Sequence, residues 1–263
     1  MHYLIELDTI AGTITLGTFD TIKAARKYLA GTRGRICPIW PPATAPADLI
    51  ESHSPNELLK KLEKMSEKKL PLNVPFKKFS EWFEKAGATK EIIEPTAVCL
   101  ATVSENGHPS SRMVLLKNFD ERGFCFFTNL TSRKGKEISQ NSNVALCFYW
   151  GFLGRQIRIE GAVERVSSEE ADNYFASRRR GSQIGAWASK QSCEMQDWSE
   201  FDERIKKISE DFADQEIPRP PFWSGFRVVP KLIEFWEDGE FRIHQREVFE
   251  REIDGWKVKK IYP

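Results

Sequence analysis

The sequence predicts a mainly β protein with flanking helices, an α+β chain whose antiparallel strands close into a barrel and which carries a small N-terminal ββα appendage. Two observations lead there. After Pro95, β-rich runs follow one another closely: AVCLATV, SSRMVLLK, FCFFTN, VALCFYW and RQIRIEGAVERV, broken by Asn106-Gly107 and by Asp120 to Gly123, an antiparallel meander. Strands then return in FRVVPKLIEFW, EFRIHQREVFER and GWKVKKIYP, joined at Asp238-Gly239 and Asp254-Gly255. So many short strands with so few helices are best satisfied by a barrel, which removes exposed sheet edges.

In chain order, YLIEL and TITLG read as two strands, and TIKAARKYLAG as an amphipathic helix ending on a capping glycine. CPIWPPATAPADL, rich in proline and alanine, reads as an extended linker. The expected division is an appendage with its linker over 1–50, a Lys/Glu-rich helical linker over 51–74, and the barrel domain over 75–263. PFKKFSEWFEKAG opens that domain with apolar residues at helical spacing and Pro75 suited to the first turn. Further helices are expected from SSEEADNYFASR and SEFDERIKKISEDFADQ.

The 263 residues, 40% of them hydrophobic, suffice for a sizeable core. Lys+Arg 39 against Asp+Glu 38 leaves a net charge of +1, so no global field recruits nucleic acid or an acidic membrane, and any anion must be held by a local cluster. The five cysteines (Cys37, Cys99, Cys125, Cys147 and Cys193) are odd in number and lack CxxC spacing, which argues against a disulfide framework or a zinc site. No apolar run approaches the roughly 18 residues of a membrane span, and no signal-peptide pattern opens the sequence. The expectation is a cytoplasmic protein with no metal.

Four clusters carry chemistry. TSRKGKEI reads as a helix start capped by Thr131 or Ser132, with Arg133 and Lys134 in the first turn. Cations there oppose the helix dipole, so a bound phosphate is the natural explanation, against two solvated basic residues on a surface turn. In SSRMVLLK, alternation puts Arg112, Val114 and Leu116 on one face and Met113, Leu115 and Lys117 on the other. A barrel interior does not hold a bare cation, so a bulge or a subunit interface is expected to keep both charges near ligand, unless Arg112 is simply salt-bridged on an edge strand.

Tyr174, Arg178 and Ser182 are spaced i, i+4, i+8, which aligns them on one face if the helix from Ser168 continues past Gly181. They are suitable donors for a phosphate, with ordinary surface packing as the competing explanation. FRIHQR places Arg242, His244 and Arg246 on one strand face, where an electron-rich or anionic ligand is expected unless carboxylates neutralise them.

Read together, SSRMVLLK, FFTNLTSRKGKEI, RQIRIEG, YFASR, SQIGAWASKQS, FWSGFRVVP, IEFW and RIHQR resemble the successive signatures of the pyridoxine/pyridoxamine 5'-phosphate oxidase family, in order, from about Pro75 to Pro263. The resemblance implies an FMN-binding split β-barrel working as a homodimer, with FMN between the subunits. It implies oxidation of pyridoxine or pyridoxamine 5'-phosphate to pyridoxal 5'-phosphate, with dioxygen as acceptor and hydrogen peroxide as by-product. By matched position, FMN contacts fall on Arg112, Met113, Val114, Leu115, Phe127, Thr128, Arg133, Lys134, Gln156, Gln191, Ser192, Trp236 and Arg246. Substrate contacts fall on Lys117, Tyr174, Arg178, Ser182, Arg242 and His244, the last two being the catalytic candidates.

Three departures stand out. Gln245 replaces an acid in the family's Arg-Leu-His-Asp-Arg, Arg179 replaces the proline of its Ser-Arg-Pro, and SPNELLKKLEKMSEKK is no clear match for the basic, tyrosine-containing segment that can cover the active site. Gln245 and the unmatched lid motivate a competing expectation, a catalytically weakened paralogue that binds or delivers pyridoxal 5'-phosphate.

Overall fold

A computed structural model of the chain describes residues 70–263 in full and, before them, the backbone of three strands: β1 (His2–Thr9), β2 (Gly12–Phe19) and β3 (Arg35–Ile39). The chain divides into two units, Met1–Lys68 and Lys69–Pro263. In the first, β1 pairs antiparallel with both others in the order β2-β1-β3, the β1/β2 register shifting between Ile5 and Glu6. Thus the segment expected to begin the linker at Cys37 is still strand. Pro38 fits there because β3 is an edge, where a missing backbone donor is tolerated. The helices expected over 21–31 and 55–70, and the rest of the linker, lie outside the described residues, save Leu70, which forms an isolated antiparallel bridge with Trp256 rather than helix.

The second unit opens on helix α1 (Val74–Ala88), with Pro75 in its first turn. Phe76, Phe79, Trp82 and Ala86 recur at helical spacing, and all four are buried. Phe79 is wholly enclosed, its ring meeting Phe83, Phe119, Phe124 and Phe148 at centroid distances of 4.7 to 5.7 Å. The helix therefore plugs the barrel rather than lying on it.

The barrel strands are β4 (Ala97–Val103), β5 (Pro109–Leu115), β6 (Asn118–Asp120), β7 (Gly123–Asn129), β8 (Asn143–Trp150), β9 (Arg155–Arg165), β10 (Trp223–Glu237), β11 (Gln245–Glu252) and β12 (Gly255–Lys260). All pairings are antiparallel, but the order is not that of a meander: β4 pairs β8 as well as β5, and β7 pairs β10. At the end of β5 the chain changes partners. Leu116 N–H donates to Thr96 O, and the next residue, Lys117, donates to Cys125 O.

That switch lets the run from β5 into β6 bond β4 on one side and β7 on the other, closing the ring β4, β5/β6, β7, β10, β9, β8. Along its other edge β10 bonds β7 with its first half and β11 with its second, so the β11–β12 hairpin extends the sheet beyond the ring. Trp256 of β12 is wholly buried and donates from Nε1 to Leu72 O, tying the hairpin to the segment before α1. Helices α2 (Arg133–Gln140), α3 (Ser168–Ser177), α4 (Arg180–Ala188) and α5 (Trp198–Asp211) flank the barrel. Among the described residues, no helix is long and apolar enough to cross a membrane.

Candidate active site

A cavity of about 680 Å³ opens where β5, β7 and the start of β10 meet α2, α3, α4 and α5. Of the predicted residues, Met113, Val114, Leu115, Lys117, Phe127, Thr128, Lys134, Tyr174, Arg178, Ser182 and Gln191 line it. Asn129 and Trp223 join them, unforeseen, and so does Arg179, singled out in the sequence as the residue in place of the family's proline. The cavity carries four cations, Lys117, Lys134, Arg178 and Arg179, and no carboxylate among the described residues lines it. Lys117 owes its place to the partner switch between β5 and β6, which turns it out at a gap in the strand ladder.

Helix α2 starts as its sequence predicts. Ser132 is the N-cap, its side chain accepting from Gly135 N, while Ser132 Oγ donates to Asn129 O at 2.7 Å. Arg133 is not a free cation, for its Nε donates to Glu137 Oε1 at 2.9 Å, one turn on. Glu137 also receives Thr102 Oγ1, Ser110 Oγ at 2.7 Å and Arg112 at 3.2 Å, so Arg112 is held inside a satisfied network rather than lining the cavity. Burial alone pushes the Glu137 carboxyl up; the hydrogen bonds and the Arg112 charge outweigh it and hold the group at about 2.

Lys134 is different. It is only 9% exposed, its Nζ meets the Gln191 side-chain oxygen at 3.1 Å, and no ion pair among the described residues involves it. Burial, then the neighbouring Arg112 charge, lowers its amine below the ordinary lysine range, and Glu137 offsets only part. A buried amine without an acid, facing a cavity, is a seat for an anion. Glu137 was missed at the level of sequence, although its position four residues after Arg133 was the signal.

Tyr174, Arg178 and Ser182 do not share one helix. α3 starts on a capping box, Ser167 with Glu170, and stops at Ser177; Arg178 is extended (φ −73°, ψ 148°), and α4 restarts at Arg180. The turn nevertheless returns Ser182 to the same cavity. The Tyr174 ring stacks on Phe127 at 4.1 Å, and Arg178 lies 5.0 Å from the Trp223 ring centre, its Nη1 buried without a hydrogen-bond acceptor among the described residues. Gly225 makes this stack possible: a Cβ there would stand 2.7 Å from the Phe127 ring.

The remaining predicted residues form a second group at the far end of β10. Gln156, Trp236 and Arg246 are direct neighbours across β9, β10 and β11, and the His244 ring packs 4.6 Å from Trp236. Arg242, His244 and Arg246 do not share a strand face, because β11 begins only at Gln245. Phe241 and Arg242 sit in a short 3-10 turn with left-handed φ of 56° and 63°, which no glycine in the sequence announced.

Carboxylates lie beside two of the three. Arg246 Nε donates to the buried Glu234 at 2.7 Å, and His244 Nδ1 lies 2.9 Å from Asp238 Oδ1 and 3.4 Å from the Gly239 backbone nitrogen. Gln245 stands opposite Glu237 across the strands, where an acid would face a like charge. Ser192, also left-handed (φ 68°), sits at the mouth of a smaller adjoining cleft with Gln191.

A ring of antiparallel strands plugged by a helix, with an acid-free cationic cavity beside it, defines an anion-binding split-barrel protein. Two family models cover most of the second unit: pyridoxamine 5'-phosphate oxidase over residues 86–212, and the pyridoxine 5'-phosphate oxidase C-terminal dimerisation region over 223–263. Relatives named pyridoxine/pyridoxamine 5'-phosphate oxidase from Myxococcus xanthus (strain DK1622) and Gluconobacter oxydans (strain 621H) are 51% and 53% identical over 189 residues. Each alignment covers 72% of this chain, with 91% and 94% of the respective relative.

Among solved structures, PhzG from Burkholderia lata 383, in complex with tetrahydrophenazine-1-carboxylic acid, matches with a TM-score of 0.68 and 31% identity over 72% of this chain and 92% of its own. A pyridoxamine 5'-phosphate oxidase-related, FMN-binding protein from Nostoc punctiforme, at 18% identity over 72% of this chain and 98% of its own, shares the fold with a TM-score of 0.59. The chain belongs to the pyridoxamine 5'-phosphate oxidase family, and its cofactor is FMN. The donor set fits that group: an unpaired buried Lys134, the amide of Gln191 and the Thr128 hydroxyl converge at the start of α2, as a flavin phosphate requires.

Proposed function

We propose that the second unit oxidises pyridoxine 5'-phosphate and pyridoxamine 5'-phosphate to pyridoxal 5'-phosphate, as a homodimer whose FMN lies between subunits, with dioxygen as acceptor and hydrogen peroxide as by-product. One observation carries this most strongly: Lys117, Lys134 and Arg178 face one cavity with no carboxylate of the described residues on its wall. Three such cations repel one another unless anions occupy the space, and a flavin phosphate plus a substrate phosphate supply them.

The two groups of residues support the interface. Trp223 lines the cavity and Trp236 neighbours Arg246, thirteen residues apart on one strand, which spans about 40 Å at ~3.3 Å per residue. A single flavin cannot touch both ends within one chain. A two-fold partner joins one copy's cavity to the other copy's Trp236, Arg242, His244 and Arg246, which is the economical way to use both.

When bound, FMN supplies the acceptor for the hydride leaving the substrate's C4' carbon and passes the electrons on to dioxygen. Lys117, Tyr174, Arg178 and Ser182 hold the substrate phosphate. Arg112, Arg133, Lys134, Gln191 and Ser192 hold the flavin's phosphate end, with Arg112 and Arg133 preset by Glu137. Met113, Val114, Leu115, Phe127, Thr128, Gln156, Trp236 and Arg246 frame its remainder. Arg242 and His244 approach the pyridine ring, the His244 ring oriented by Asp238 and Trp236, so that protein groups mainly position the reactants.

The purified protein is expected to be yellow and to release peroxide and pyridoxal 5'-phosphate from both vitamer phosphates. Flavin without turnover of either, combined with tight pyridoxal 5'-phosphate binding, would instead establish the weakened paralogue. Lys117→Ala and Arg178→Ala should each raise KM for the phosphorylated substrates about 10- to 100-fold, as expected for losing a charge-assisted hydrogen bond. An unchanged KM in either variant removes that residue from the phosphate site.

A further inference from the structure

Helix α3 ends where the phosphate-binding turn begins, and a side chain from the next helix ends it. The last carbonyls of a helix lack intrahelical partners and need donors from elsewhere. Phe175 O accepts the Arg178 N–H at 3.2 Å and the Gln183 Nε2 at 3.0 Å, and the same Nε2 reaches Ala176 O at 3.3 Å. Gln183 is itself only 9% exposed. Its amide therefore straps α4 back onto the end of α3, and the loop it closes contains Arg178, Arg179 and Ser182, all on the cavity wall.

We propose that Gln183 is a positioning residue that holds Arg178 and Ser182 ready for the substrate's phosphate, a role that rests on the phosphate reading of Arg178 given above. Two features make the strap necessary. Arg178 keeps a buried Nη1 with no acceptor among the described residues, a state that relaxes unless the backbone beneath it is fixed. Position 179 is an arginine, so no pyrrolidine ring stiffens the turn; Ser182 N–H and Gln183 N–H bond Arg179 O, and Arg180 ties the start of α4 to the carbonyls of Phe212, Ala213 and Gln215, but among these bonds it is the Gln183 amide that ties α4 back to the end of α3. A primary amide is needed because the target is a pair of carbonyl oxygens, which a carboxylate repels and a thioether cannot satisfy.

The test uses the FMN-loaded protein, with pyridoxamine 5'-phosphate and unphosphorylated pyridoxamine as alternative substrates. Gln183→Met should raise KM for the phosphorylated substrate about tenfold, the worth of roughly one hydrogen bond, with kcat changed less than about twofold. The kcat/KM for pyridoxamine should not move. Gln183→Glu should show the same defect at neutral pH and recover as acidification protonates the new carboxyl and restores a donor.

An unchanged KM in a folded, flavin-replete Gln183→Met protein overturns the proposal. So does an equal loss with both substrates, which marks a merely structural residue. Should the methionine variant lose FMN, the glutamate variant decides alone, and a parental KM at neutral pH overturns the role. Arg178→Ala is measured alongside: if it too leaves KM unchanged, the phosphate reading fails first, whereas a raised KM there with none in the Gln183 variants defeats only the strap.

Discussion

Glu137 gathers Thr102, Ser110, Arg112 and Arg133 around one buried carboxylate, and its ionisation holds the floor of the proposed flavin site together. Its folded value of about 2 lies below the ordinary 4.5, so its contribution to stability is present above pH 4.5 and is lost as the pH falls toward 2. Glu137→Gln should therefore flatten the dependence of Tm on pH across that window, measured by thermal denaturation; a parental slope would show that the carboxylate is not coupled to folding. Lys134 makes the complementary case, since its amine meets an amide oxygen and no acid. Lys134→Met should weaken FMN binding by about 10- to 100-fold in a flavin fluorescence titration, and an unaltered Kd would remove it from the flavin site.

At the scale of elements, the turn from α3 to α4 explains how arginine stands where the family has proline. Arg179 has φ −57°, close to the value a proline ring imposes, and Arg178 before it is extended, as a residue preceding proline must be. Arg179→Pro should thus fit and stabilise the fold by about 0.4–1 kcal/mol through the unfolded chain, read as a raised Tm; a fall would show that the turn differs from the one described.

This turn also shows what the sequence could and could not disclose. Spacing i, i+4, i+8 grouped Tyr174, Arg178 and Ser182 correctly, but on a continuous helix that does not exist, because helical periodicity cannot see an extended residue at 178. The start of α2 was legible since Ser132 caps it and the period follows. FRIHQR was misread because two left-handed residues, Phe241 and Arg242, carry none of the glycine that advertises such a turn. Apart from the three-residue β6, too short for a period to show, strand existence was readable in the barrel; that β4 pairs β8 and β7 pairs β10 was not, since period-2 patterns name faces and not neighbours.

For the whole molecule, the plug and the split site set separate demands. Phe79→Ala should cost about 3–5 kcal/mol in denaturant unfolding, because its ring is enclosed by four others and little can collapse into the space. The proposed function depends instead on two copies, each offering a cavity at one end of β10 and the Trp236, His244 and Arg246 group at the other. The decisive measurement is subunit complementation. Arg178→Ala and His244→Ala chains, each crippled as a homodimer, are co-expressed with different tags and the mixed dimer is isolated. If the site is built from two chains, one of the mixed dimer's two sites carries both substitutions and the other carries neither, so about half the parental turnover should return. A mixed dimer no more active than its parents would contradict the shared site.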